Sequence, residues 1–149
     1  MKEYFAVEKV RIMTKAIYEK AIHMLNESNT LSLSIVDKDG YPKVYAMEKV
    51  LSIDLNKIIF ITKKDSNKVS LLNISHKCCV EVHTEDDMIC LKGNMEIQES
   101  NEKKREILPQ NYIGRLERSG SNKYCILIFH AFNADLFIDG KLETISIEV

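Results

Sequence analysis

The sequence has little proline, little glycine and no tryptophan: two, five and none among 149 residues. So little of the chain-breaking residues excludes a collagen-like protein or a Pro/Gly-rich linker, and no low-complexity segment or internal repeat is present. Nor does any apolar run reach the roughly 20 residues that a membrane-spanning helix needs. An excess of one charge is missing too. Lys and Arg total 21 against 22 Asp and Glu, a formal net charge of −1, so neither nucleic acid nor a membrane is an expected partner. The stretch MKEYFAVEKVRIM mixes acids and lysines among its apolar residues. It has no continuous apolar signal core, and a cytoplasmic location is expected. Cys78, Cys79, Cys90 and Cys125 form no C-x-x-C pair. A chain of this size needs no disulfides, so buried, reduced thiols are expected. Walker loops, Gly-x-Ser-x-Gly elbows and His-Glu-x-x-His pairs are also absent, and nothing suggests hydrolysis.

What is present is an ordinary globular composition, 45% apolar and 29% charged, in a length that suits one domain over residues 1–149. TKAIYEKAIHMLNE, residues 14–27, predicts a helix with Ile17, Ala21, Met24 and Leu25 on one stripe and Thr14 as a cap. TLSLSIV alternates, with Leu31, Leu33 and Ile35 on one face and Ser32 and Ser34 on the other. It predicts a half-buried strand, and Asp39-Gly40 after it a hairpin turn. YPKVYAMEKVLSI is the return strand, interrupted by Glu48-Lys49, and KIIFIT is a third, apolar on both faces and therefore central. A short helix from Ser66 to Asn73 follows, then the strands KCCVEVHT and MICLKGNMEIQE around an acidic turn at Glu85-Asp86-Asp87. SNEKKREIL predicts a helix capped by Ser100. QNYIGRLERSGSN reads as part helix and part loop, and the remainder as two or three strands with a tight turn at Asp139-Gly140. The fold class is α+β: a small antiparallel split β-barrel of about six to eight strands with two to four short helices.

One stretch carries a chemical question. FITKKDSNKVSLL, residues 60–72, places hydroxyls and ammonium groups where a strand hands over to a helix. Thr62 ends the strand, Ser66 stands at the helix N-cap, Lys68 lies in the first turn, and Lys63 and Lys64 add charge. This is either a capped helix beside a solvated turn or a seat for a phosphate, which needs N–H groups, hydroxyls and a cation on one side. Lys43, Tyr45 and Met47 share one face of the preceding strand, Val44 and Ala46 the other, and Lys43 can approach the same pocket. Elsewhere, Cys78 and Cys79 point to opposite faces of their strand, as do His76 and His83, so no metal site is expected. His130, in ILIFHAF, reads as a hydrogen-bonded core residue.

The order of these pieces resembles the pyridoxamine 5′-phosphate oxidase-like family of FMN-binding split barrels. It is most similar to the short, single-domain general stress proteins and flavin-nucleotide-binding proteins of that family. The resemblance spans residues 14–147. It is carried by Phe60, Thr62, Ser66 and Lys68 in a Phe-x-Thr-x-x-x-Ser-x-Lys pattern and by the strand NISHKCCVEV. It implies that Thr62, Ser66 and Lys68 hold the FMN phosphate and ribityl chain, with Lys43 also reaching the phosphate and Lys63 and Asn67 flanking it. It implies that Val44, Tyr45, Ala46 and Met47 run beside the isoalloxazine ring, a wall that Ile61 and Thr62 continue. It also implies a homodimer with flavin in the groove between subunits. Asn67 stands where the oxidase often has Arg, Glu48 near a position where it has Lys, and the ending GKLETISIEV lacks the oxidase's Arg-x-His motif.

The expected function is therefore a flavin-dependent oxidoreductase or flavin reductase acting on an unidentified small molecule, with a small-molecule substrate or nicotinamide donor, and not pyridoxamine phosphate oxidase proper. Flavin supplies the redox chemistry, so no nucleophilic side chain is required. Tyr41, Tyr45 and Tyr112 are candidates for the substrate side. The alternatives are a non-catalytic flavin-binding stress-response module, or a deazaflavin- or haem-binding member of the fold. Haem would draw an axial ligand from His76, His83 or His130.

Overall fold

The apolar stripe Ile17, Ala21, Met24 and Leu25 builds the first helix and is buried at all four positions. That helix, α1, spans Lys2–Glu27. It begins well before residue 14, so Thr14 lies in its interior and is not its N-cap. The structure, a computed structural model, describes residues 2–147, without the side chains of residues 2–14 and Ser121.

Alternation decides β1 (Thr30–Val36), whose Leu31, Leu33 and Ile35 point into the core. The turn after it is shaped by Asp37, whose carboxylate accepts from the N–H groups of Asp39 and Tyr41, both at 2.9 Å. Gly40 there has φ +86°, a left-handed value that glycine adopts at no steric cost. The chain returns as β2 (Pro42–Ile53), turns through Asp54-Leu55-Asn56, and continues as β3 (Lys57–Lys63). Helix α2 covers Asn67–Ile74, and β4 (Lys77–His83) pairs with β5 (Met88–Gln98) across the acidic turn.

Two helices follow, α3 (Asn101–Ile107) and α4 (Gln110–Ser119). Ser100 caps α3 as expected, its hydroxyl accepting from the Lys103 N–H at 3.4 Å. The segment expected as part loop is mostly α4. A long β6 (Tyr124–Ile138) and β7 (Lys141–Ser146) complete the fold, with the turn at Asp139-Gly140 between them.

The strand order is β3-β2-β1-β4-β5-β6-β7, and β3 also pairs with β6. Six antiparallel strands therefore close into a barrel, and β7 extends it from β6. This is the expected α+β split barrel, with β3 central between β2 and β6 as its two apolar faces implied. Inward-pointing side chains of all six strands, with α1 and α2, form the main core. On the outer face, α3 and α4 cover a second apolar layer of Ile59, Ile126 and Ile128 with Leu108 and Leu116. The long β6 passes β5 with a register shift between Lys92 and Gly93. A Cβ on Gly93 would stand 2.1 Å from the His130 carbonyl oxygen, so only glycine fits that bulge.

The barrel is split between β2 and β3. Pairing of β2 with β3 covers Lys49–Ile53 and Lys57–Phe60 and stops there. Beyond it, Pro42–Glu48 stays with β1 and Ile61–Lys63 stays with β6. The facing edges of these two stretches are parted, and α2 starts at the mouth of the gap.

Candidate functional site

The parted edges of β2 and β3 expose backbone that a closed ladder would have used, and the polar residues expected to form a site gather around them. Thr62, on the inward face of β3, is buried. Ser66 takes the N-cap position of α2 with extended backbone, but its hydroxyl makes no capping bond. That oxygen is buried and has no hydrogen-bond partner among the described residues. Such orphaned groups are rare and costly, of order 1–3 kcal/mol, unless something outside the chain satisfies them.

Tyr45 ties the surrounding charges together. Its phenol accepts from the Asn67 amide at 3.0 Å. The ammonium groups of Lys43 and Lys68 sit 5.6 and 5.5 Å from its ring centroid, within cation–π range. Lys63 is exposed at the strand end, while Lys64 and Lys104 lie near enough to Cys125, the partner of Thr62 across β6, to act on its thiol. Burial outweighs them and raises that thiol's pKa. Burial, then the charge of Lys64, lowers the pKa of Lys104. Lys104 is a buried cation of this region that periodicity did not single out; it comes from α3, far along the chain.

The remaining expected wall residues divide by face. Val44 and Ala46 are exposed on the outer side of β2, Val44 at 66%. Met47 turns inward and is buried in the core. Ile61 points outward under the helical layer. There, along the same outer strip as Val44 and Ala46, a cavity of about 140 Å³ opens between β2, β3 and α4. Val50, Ile61 and Leu116 give it aliphatic walls, and Tyr112 and Tyr124 line it with phenol rings. Its polar rim holds Ser119 and the pair Glu48–Arg115, whose charged atoms are 3.5 Å apart. Of the tyrosines considered for a substrate side, Tyr112 lines this cavity, Tyr45 belongs to the cationic cluster, and Tyr41 is exposed at the hairpin. Arg115 and Ser119 had no sequence signal, because a polar helix with an internal glycine does not reveal what it covers, and Tyr124 joins them from the start of β6.

His130 departs from its expected place. It is on the outer face, with a side chain 36% exposed, and its Nε2 lies 2.9 Å from Glu96. The Gln98 amide donates to the other Glu96 oxygen at 2.6 Å. These bonds, that from Gln98 first, hold the Glu96 carboxyl below its usual range. His76 and His130 line one open groove of about 540 Å³. All four cysteines are free, Cys78 and Cys125 buried, Cys79 and Cys90 only half-buried. Desolvation, with a smaller contribution from Cys79, pushes the Cys78 thiol up to about 12, which leaves it inert as a nucleophile at neutral pH. Among the described residues no group of three or more His, Cys, Asp or Glu is placed to hold a metal ion, and no helix is long and apolar enough to cross a membrane.

No curated protein sequence matches the chain. Solved structures do. A protein related to general stress protein 26 of B. subtilis, from Clostridium acetobutylicum, is 20% identical with a TM-score of 0.77, over 89% of this chain and 95% of that one. General Stress Protein 26 from Bacillus anthracis str. Sterne is 18% identical with a TM-score of 0.67, over 90% of this chain and 98% of that one. A heme binding protein from Mycobacterium smegmatis is 11% identical with a TM-score of 0.68, over 87% of this chain and 57% of that one. At such identities these likenesses speak for the fold. The sequence profile described as pyridoxamine 5′-phosphate oxidase matches residues 17–124, which take in the split, the cationic cluster and the cavity, and the chain belongs to that family.

Proposed function

We propose that the protein binds FMN in the split between β2 and β3 and serves as a flavin-dependent oxidoreductase or flavin reductase for a small molecule. The observation that carries this reading is the buried Ser66 hydroxyl with no partner among the described residues, next in the chain to Asn67, whose amide bonds the tyrosine that two ammonium groups face, at a place where two strands have parted. A phosphate fits that donor set. Ser66 and Thr62 would give hydroxyls, Lys43 and Lys68 charge, and the first N–H groups of α2 further bonds. Asn67, held by Tyr45, adds no charge where the oxidase often has arginine. The outer strip of Val44 and Ala46 offers an apolar face for a flat ring, with Ile61 beyond it. Bound FMN supplies the electron-transfer chemistry, and the chain supplies position, charge and shelter from water.

We also propose a homodimer. Val36, Val44 and Phe132 are exposed on the outer face of the sheet, an apolar surface that a second copy could cover about a two-fold axis. Light scattering after gel filtration tests it, and a monomer at tens of micromolar refutes it. A second reading is haem, favoured by the groove that His76 and His130 share. The contact of Glu96 with His130 Nε2 occupies the nitrogen an iron would use, so we place FMN first. An absorption spectrum of the protein after FMN addition and desalting decides between them. Twin flavin bands at about one per chain support the proposal; a Soret band on haem addition with no retained flavin supports the second. Oxidation of a reduced nicotinamide by the loaded protein separates an enzyme from a flavin-binding stress-response module, which would show no turnover.

A further inference from the structure

The cavity under α4 has a size and a charge pattern that name the molecules it can take. We propose that it is a seat for a compact, uncharged, single-ring molecule carrying a hydrogen-bonding oxygen, and that the Glu48–Arg115 pair turns anions away from it. The proposal rests on the flavin reading only for its role as substrate seat: the cavity continues the outer strip of β2 from Val44 and Ala46, so a molecule in it would touch the edge of a ring lying on that strip.

Size comes first. A cavity of about 140 Å³ is close to the roughly 150 Å³ apolar cavity known to hold benzene. The walls enclose room for about one ring. The lining comes second. Val50, Ile61 and Leu116 are aliphatic, and Tyr112 and Tyr124 are aromatic. Neither phenol, nor the Ser119 hydroxyl, makes a side-chain hydrogen bond among the described residues, so each can serve a carbonyl or amide oxygen on the ligand. Charge comes third. Arg115 is the cation lining the cavity, and Glu48 answers it at 3.5 Å. With side chains 63% and 59% exposed, this pair contributes little to stability. It does cancel the field that would draw in a carboxylate or phosphate, while an anion would still lose water on entering. The seat thus selects against charge without a clash.

Calorimetric titration of the flavin-free protein with benzamide, benzoate and phenyl phosphate tests this directly. Benzamide should bind at least tenfold more tightly than benzoate, with phenyl phosphate undetectable. Leu116→Phe, which fills the cavity, should abolish benzamide binding while FMN retention is unchanged. Glu48→Gln, which frees Arg115 and leaves the walls intact, should bring benzoate up by at least tenfold and should fold even where the core variant does not. Equal or tighter binding of either anion by the parent overturns the proposal, and so does no binding of benzamide or benzoate affinity indifferent to Glu48→Gln. Because no flavin is present, benzamide binding without FMN retention would sink the flavin reading and leave the seat standing. FMN retention without benzamide binding would do the reverse.

Discussion

Two helix ends in this fold meet their unpaired backbone groups in opposite ways. At the C-terminus of α1, Lys49 reaches across from β2. Its ammonium group donates to the Leu25 carbonyl, to the Asn26 carbonyl at 3.0 Å and to Ser52 at 3.4 Å, and the residue is only 8% exposed. A cation is the right charge for that end of the helix dipole, and all three of its N–H bonds are used. At the N-terminus of α2, Ser66 is the right residue for a cap, yet its buried oxygen bonds to nothing among the described residues. One end is finished by the chain itself. The other is built as though an anion would finish it. A polar residue at a helix end is thus bonded by the chain in one place and left open in the other, which the proposed function assigns to a ligand.

The comparison breaks most visibly at Lys49. Lys49→Met should cost about 2–3 kcal/mol, because one buried and one part-buried carbonyl lose a charged donor. In a chain of this size that is a fall in Tm of roughly 4–12 °C, read by thermal or urea unfolding, with FMN retention little changed. Loss of FMN at unchanged stability would reverse the roles assigned to the two ends. At the other end, Ser66→Ala with Lys68→Ala should leave the flavin-free protein as stable as the parent or slightly more so. It should weaken FMN binding by about 1.5–3 kcal/mol for each charge-assisted bond lost. Parent-like flavin affinity in an equilibrium titration would show that the phosphate sits elsewhere.

Smaller effects sharpen the contrast through pH. Burial lowers the Lys49 pKa from 10.5, with Glu27 opposing the shift. The unfolded chain therefore binds more protons between the folded value and 10.5, and stability from this group rises with pH across that window. Subtracting the profile of Lys49→Met from that of the parent isolates the slope; a flat difference would mean the ammonium is better solvated than its burial implies. Glu96 lies at neither helix end, and its pKa is also lowered, but by hydrogen bonds from Gln98 and then His130 that favour its charged form rather than by burial. Its contribution is complete above 4.5, the unfolded value, and is lost as pH falls through the lower folded pKa. Gln98→Leu, which removes the largest cause of that shift, should reduce the acid-side loss in urea titrations by a fraction of a kcal/mol.

Much of the scaffold was legible because local patterns and tertiary demands agree. The alternation at Leu31, Leu33 and Ile35, the stripe from Ile17 to Leu25, the turns at Asp39-Gly40 and Asp139-Gly140, and the Ser100 cap all stand where the residues imply. Helix α4 was half-read because its helicity is secured by Leu116 and Tyr112 lying on β3 and β6, contacts that a polar segment with Gly114 does not advertise. Lys49 read only as an interruption of a strand, since the two carbonyls it bonds belong to a helix that ends 22 residues earlier. The cavity was not legible at all: Glu48, Ile61, Tyr112 and Tyr124 come from four elements.

By itself, then, the sequence determined the elements, the antiparallel barrel and the polar cluster of residues 62–68, since periodicity, turn chemistry and capping act within a few residues. Only the tertiary structure decided that β2 parts from β3 after Phe60, that the buried Ser66 hydroxyl has no partner among the described residues while the Lys49 ammonium finds three, and that a small cavity forms beneath α4. Those outcomes depend on which distant groups arrive beside one another, and burial charges each polar group according to the company it finds there.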